Sequence, residues 1–182
     1  VVLSFPYNLQ KELVDDSLLD QVSCTRPYLA PVIPTSYIGQ TLDLIRAAER
    51  PLIIAGYGCI HAGAQAPLSR ISAGLGIPVT SSLKAKGAVD ERSPLCLGSL
   101  GVTSGGYARR YLEREADLVL VLGAGFNERT SYVWDRDLLA GKKIIQVDHN
   151  PQQLDKVFKA HLGVQADLGA YLQALDAAIQ AE

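Results

Sequence analysis

The chain has 182 residues, 48% of them hydrophobic and 20% charged, which supplies apolar mass for one buried core and excludes a disordered chain or a collagen-like repeat. Its 17 basic and 19 acidic residues leave a formal charge of -2. No positive field gathers a phosphate backbone, so nucleic acid is not an expected partner.

Cys24, Cys59 and Cys96 stand too far apart for a CxxC metal or redox pair, and their odd number argues against a secreted disulfide framework. A reducing, cytoplasmic setting is expected. No apolar run is long enough to cross a bilayer, and no basic segment followed by an apolar core opens the chain, so no membrane partner is expected. The sequence begins at Val1 and contains no methionine, which points to a processed chain or an excised piece.

Residues 1–34 carry Pro6, Pro27, Pro31 and Pro34 around a polar middle and read as an extended linker. Residues 1–5 read as a strand with no partner in the rest of the pattern, as a cut through a larger protein would leave. A helix is predicted over 36–48, with Thr35 or Ser36 as its cap. Pro51 then marks the start of a strand at 52–55. The pattern continues with a helix at 61–74, a strand at 77–80, a weaker strand at 95–97, a helix at 105–115 and a strand at 118–122. Strands at 143–147 and 162–165 follow, with helices at 152–158 and 168–181. This alternation is that of βαβ units. The strand runs are almost continuously apolar and do not alternate, as parallel strands buried on both faces do, so a doubly wound three-layer α/β/α sheet with right-handed crossovers is expected.

In such a sheet ligands gather beyond the carboxyl ends of the strands, at the topological switch point. Gly56-Tyr57-Gly58 is a GxG turn whose helix could offer free N–H groups to a phosphate, although His61 stands where the last glycine of GxGxxG would fall. A tight turn without a ligand fits it equally well. Gly123 to Thr130 follows the central strand, where glycines admit a ligand and Asn127 and Arg129 could donate to phosphate or ribose oxygens. Asp148 could accept from ribose hydroxyls or cap the next helix, and Asp167 has the same two uses. Gly98 and Gly101 complete the ring of small strand-end residues. Lys84 and Lys86 suit a phosphate or plain solvation.

Nucleophilic and acid–base catalysis finds less support. No GxSxG elbow accompanies His61, His149 or His161, each of which suits a helix end or the surface. Cys59 fits either a helix N-terminus that lowers its pKa or a small buried hydrophobe. Tyr132 and Trp134 are expected to pack a core or a subunit interface rather than stack on a cofactor.

The order of several segments carries a resemblance. Arg50-Pro51-Leu52-Ile53-Ile54-Ala55-Gly56-Tyr57-Gly58, then Gly76-Ile77-Pro78-Val79-Thr80-Ser81-Ser82 with Lys86-Gly87, then Ser93-Pro94-Leu95 with Leu97-Gly98, resemble the central domain of thiamine-diphosphate-dependent enzymes of the acetolactate synthase and 2-keto acid decarboxylase group. Ala116-Asp117-Leu118-Val119-Leu120-Val121-Leu122-Gly123 and Ile144-Ile145-Gln146-Val147-Asp148-His149-Asn150-Pro151 continue the series to about residue 175. The resemblance implies a six-stranded parallel sheet in the order 3-2-1-4-5-6, with residues 35–182 as the central domain and 1–34 as the end of a preceding pyrimidine-binding domain plus linker. It implies that thiamine diphosphate and magnesium belong to flanking pyrimidine-binding and diphosphate-binding domains, one supplying an activating glutamate and the other a GDG motif, and that the parent is a homo-oligomer.

No GDG occurs here, so this chain by itself is expected to be inactive. FAD or ADP fills the corresponding domain in some relatives and nothing does in others. Gly125 stands where a flavin-holding arginine would be expected, while Arg129 and Thr130 are retained, so an empty or weakly occupied structural domain is the expectation. The competing readings are a free-standing NAD-dependent oxidoreductase of Rossmann type, which lacks its GxGxxG and substrate domain, and a sirtuin-like deacylase, which lacks a zinc-binding cysteine set.

Overall fold

A computed structural model describes residues 4–21 and 33–181. Six strands, β1 (Pro51–Ala55), β2 (Val79–Ser82), β3 (Cys96–Leu100), β4 (Leu118–Leu122), β5 (Lys143–Asp148) and β6 (Leu162–Gln165), form one sheet in the order β3-β2-β1-β4-β5-β6. All pairings are parallel, and β1 against β4 is in register from Pro51–Leu118 to Ala55–Leu122. The order therefore reverses between β1 and β4, which places the switch point there.

The continuous apolar runs are explained by two cores. Ile53, Leu120, Leu122, Ile145 and Val147 face one core with α1 (Thr35–Arg46), α2 (Tyr57–His61), α3 (Gln65–Leu75) and α5 (Leu168–Gln180). Leu52, Ile54, Val119, Val121 and Ile144 face the other, with α4 (Tyr107–Arg114). In β4 every residue is buried and successive side chains alternate between the two cores, so every position there is apolar.

The second face departs from the expected helical layer. In place of a helix over 152–158 there is one 3-10 turn, Pro151–Gln153, capped by Asn150, whose side chain accepts from Gln152 N–H. The buried Gln146 stops further winding: its amide donates to the Gln153 carbonyl at 2.8 Å and accepts from Asp155 N–H at 3.1 Å. Asp155 takes a left-handed φ of 57°, and Phe158 turns in against Phe126, edge to face, with ring centroids 4.8 Å apart. Side-chain partners on β5 and in the loop after β4 here outweigh local helix propensity.

The helix expected over 61–74 is two helices. Gly63, at φ 60°, ends α2, and Pro67 sits in the first turn of α3, where its missing N–H costs nothing. β2 begins two residues later than expected, because Pro78 has no N–H for the ladder and contributes only its carbonyl, which accepts from Ile53 N–H. α1 begins at Thr35 after Pro34 with no side-chain cap, so neither Thr35 nor Ser36 serves as one. Asp167 does cap α5, accepting from Ala170 N–H at 2.8 Å. At the amino end, Ser4 and Phe5 lie in no strand, and 3-10 turns at Leu9–Lys11 and Asp16–Gln21 follow. Residues 1–3 of the expected strand, and the linker residues Cys24, Pro27 and Pro31, lie outside the described residues.

Candidate functional site

Two clefts open at the carboxyl ends of the strands and share Tyr57 and Gly123 on their common rim. The larger, of about 760 Å³, lies beyond β1, β4, β5 and β6 and is bordered by Gly58, His61, Asp148, His149, Asn150 and Asp167. The smaller, of about 290 Å³, lies beyond β1, β2 and β4, with Ser82, Lys84, Asn127, Arg129 and Thr130 on its walls. Of the residues expected from sequence, Gly58, Gly123, Asp148 and Asp167 meet in the first cleft, and Asn127 and Arg129 meet Gly123 in the second.

The glycines at the switch point serve the backbone directly. Gly56 N–H donates to Leu122 O at 2.8 Å, and Gly58 N–H to Gly123 O at 3.0 Å, so these two N–H groups are committed to the end of β4 rather than open to a phosphate. A Cβ on Gly56 would overlap the Gly123 carbonyl oxygen and Ala124 Cα, and one on Gly58 would stand 2.7 Å from Gly123 Cα. Gly123 itself has a φ of 59°. The two loops touch main chain to main chain, which only glycine allows.

Gly98 lies inside β3, at φ 77°, with its carbonyl accepting from the Thr80 hydroxyl at 2.9 Å. Gly101 packs on the β4 loop: its N–H donates to the Tyr132 hydroxyl at 3.1 Å, and a Cβ there would meet Arg129 O at 3.0 Å. Neither borders a cleft.

The clefts differ in charge. Asp148 is only 5% exposed; its Oδ1 accepts from Asn150 N–H at 2.9 Å and lies 3.4 Å from His149 Nδ1. Asp167 stands across the same cleft. The second cleft carries Lys84 and Arg129, and among the described residues neither side chain has an ion-pair or hydrogen-bond partner. Asn127 shapes that wall, its Oδ1 accepting at 3.1 Å from Arg129 N–H, Thr130 N–H and the Thr130 hydroxyl.

Tyr57 was not singled out from sequence, yet it is half exposed and stands at both clefts, 6.4 Å from the His61 ring. Its place inside the GxG turn was the available signal. Asn150, Gln153 and Ser82 also border the clefts. Among the described residues no group of three or more His, Cys, Asp or Glu could hold a metal ion, and no helix is long and apolar enough to cross a membrane.

Comparison with known proteins matches residues 38–175 to the family model described as thiamine pyrophosphate enzyme, central domain. The chain is 36% identical over 154 residues to the mitochondrial acetolactate synthase of Schizosaccharomyces pombe, covering 79% of this chain and 23% of that protein. It is 33% identical over 153 residues to the large subunit of acetolactate synthase isozyme 1 of Escherichia coli, covering 84% of this chain and 26% of that one. With the chloroplastic acetolactate synthase 1 of Zea mays it shares 30% identity over 183 residues, 99% of this chain and 28% of the relative. The chain thus spans about a quarter of the length of these curated relatives.

Proposed function

The chain belongs to the thiamine pyrophosphate enzyme central-domain family, and on that footing we propose that it is the structural, non-catalytic middle domain of an acetolactate synthase-like parent, with switch-point clefts that hold an adenine nucleotide loosely. Residues 35–182 form this domain, and 1–34 lead in from a preceding pyrimidine-binding domain. The parent's thiamine diphosphate and magnesium sit on its flanking domains, within a homo-oligomer. Neither group fits the residues here, since the sequence has no GDG and the described residues offer no metal-ligand cluster. The family match goes against a free-standing NAD-dependent oxidoreductase or a sirtuin-like deacylase.

The division of charge across the shared rim carries the nucleotide half of this reading. Carboxylates at Asp148 and Asp167 suit ribose hydroxyls as donors, while Lys84 and Arg129 suit phosphate oxygens. Tyr57, on the rim between them, offers a ring to a base. ADP fits better than FAD, because Gly125 supplies no flavin-directed arginine. Isothermal titration with ADP tests this. Saturable binding with a Kd of about 0.1–1 mM, weakened by Asp148→Asn, is the expected result. Absence of heat at several times that concentration, or purification with stoichiometric FAD, overturns it.

A further inference from the structure

Resting on the reading of the basic cleft as the phosphate side of a nucleotide site, we propose that Arg109 and Tyr132, which border neither cleft, are positioning residues that hold Arg129 in place. Three consecutive non-glycine residues, Tyr132, Val133 and Trp134, have left-handed φ values of 51°, 63° and 61°. Such a conformation persists only where its surroundings over-determine it. Here they do so from two sides. Within the segment, Ser131 Oγ donates to Asn127 O at 2.7 Å and accepts from Trp134 N–H at 3.2 Å, while Val133 N–H donates to Glu128 O at 2.7 Å.

From α4, the Arg109 guanidinium lies 4.3 Å from the centre of the Tyr132 ring. It is fixed in that plane by Glu113, at 2.5 Å, and by Asp135, at 3.0 Å. Tyr132 is thereby aimed at the β3 loop, where its hydroxyl accepts from Gly101 N–H at 3.1 Å and lies 3.4 Å from Ser104 Oγ. The next residue closes the circuit: Val102 N–H donates to Arg129 O at 3.0 Å. Arg129 is therefore held through its carbonyl by the β3 loop and through its N–H by Asn127, which leaves its guanidinium uncommitted in the cleft that Lys84 also lines. The strained turn, clamped by Arg109, ties the β4 loop to the β3 loop and so fixes the main chain from which Arg129 reaches the cleft that Lys84 also lines.

The test compares ADP with adenosine on the full chain, because the ratio of the two affinities isolates the phosphate contribution. Tyr132→Phe keeps the ring and removes only the hydroxyl; it should lower the ADP-to-adenosine ratio about fivefold, as loss of one hydrogen bond would, with adenosine affinity and melting temperature unchanged. Arg109→Lys keeps the charge but loses the planar clamp and should move the ratio the same way. Arg129→Ala should lower the ratio further than either, to what Lys84 alone supports. A Tyr132→Phe ratio equal to that of the unaltered chain, alongside a lowered Arg129→Ala ratio, overturns the positioning role and leaves the nucleotide reading standing. An equal fall in adenosine affinity, marking a general structural effect, also overturns it. Failure of the unaltered chain to bind either ligand defeats the nucleotide reading and this inference with it.

Discussion

Cys59 follows the Gly56-Tyr57-Gly58 turn, a place where a helix N-terminus could have made a thiol reactive. The opposite holds. The side chain is fully buried, its Sγ–H points to Leu122 O at 3.4 Å, and burial pushes the thiol up to about 12 despite the Gly56 backbone contact that opposes the shift. Thiolate is the reactive form, so iodoacetamide at pH 8 should leave Cys59 unmodified in the native chain while labelling the partly buried Cys96, with site-resolved mass spectrometry as the readout. Labelling of Cys59 at a rate near that of Cys96 would contradict this burial. The sequence offered both environments for Cys59, with the small buried hydrophobe the commoner role. Only the approach of β4 from a distant part of the chain selected one.

Between elements, the contact that defines the switch point is the meeting of the β1–α2 turn with the β4 loop. Gly123→Ala combines a left-handed φ with a Cβ 2.7 Å from Gly58 Cα and 3.1 Å from Leu168 Cδ2. It should destabilise the chain by about 2–4 kcal/mol, lowering Tm by about 5–15 °C in a thermal melt. Gly39→Ala is the counterpart. That glycine lies within α1 with nothing within 4 Å of a Cβ, so the substitution should stabilise by about 0.5–1 kcal/mol. A Gly123→Ala melt that matches the parent's would remove the close-approach argument. At this scale β4 was legible to the residue, because an apolar run bounded by turns needs no tertiary information, and β6 was found at the same bounds although only its alternate residues are buried. The helix expected over 152–158 was not, since what prevents it is the Gln146 side chain reaching across from β5.

For the whole molecule, the described residues form one six-stranded sheet with a core on each face. Its clefts carry Asp148 and Asp167 on one side and Lys84 and Arg129 on the other, and the function proposed above makes the domain non-catalytic. The purified chain supplied with thiamine diphosphate and magnesium should therefore release no carbon dioxide from pyruvate above the protein-free rate. Measurable turnover proportional to chain concentration would overturn its assignment as a structural middle domain.

Composition and periodicity determined the fold class by themselves, because a strand that is apolar at every position can be satisfied only between two layers. The ordered series of segments determined the family. The tertiary structure alone decided which strand-end residues share a cleft, sending Asp148 and Asp167 to one side of Tyr57 and Lys84 and Arg129 to the other, while Gly98 and Gly101 went to neither. It also decided that the switch-point glycines face backbone. Spacing along a chain specifies which element a residue ends, whereas the loops that meet are chosen by sheet order and by long-range hydrogen bonds such as that between Gly101 and Tyr132.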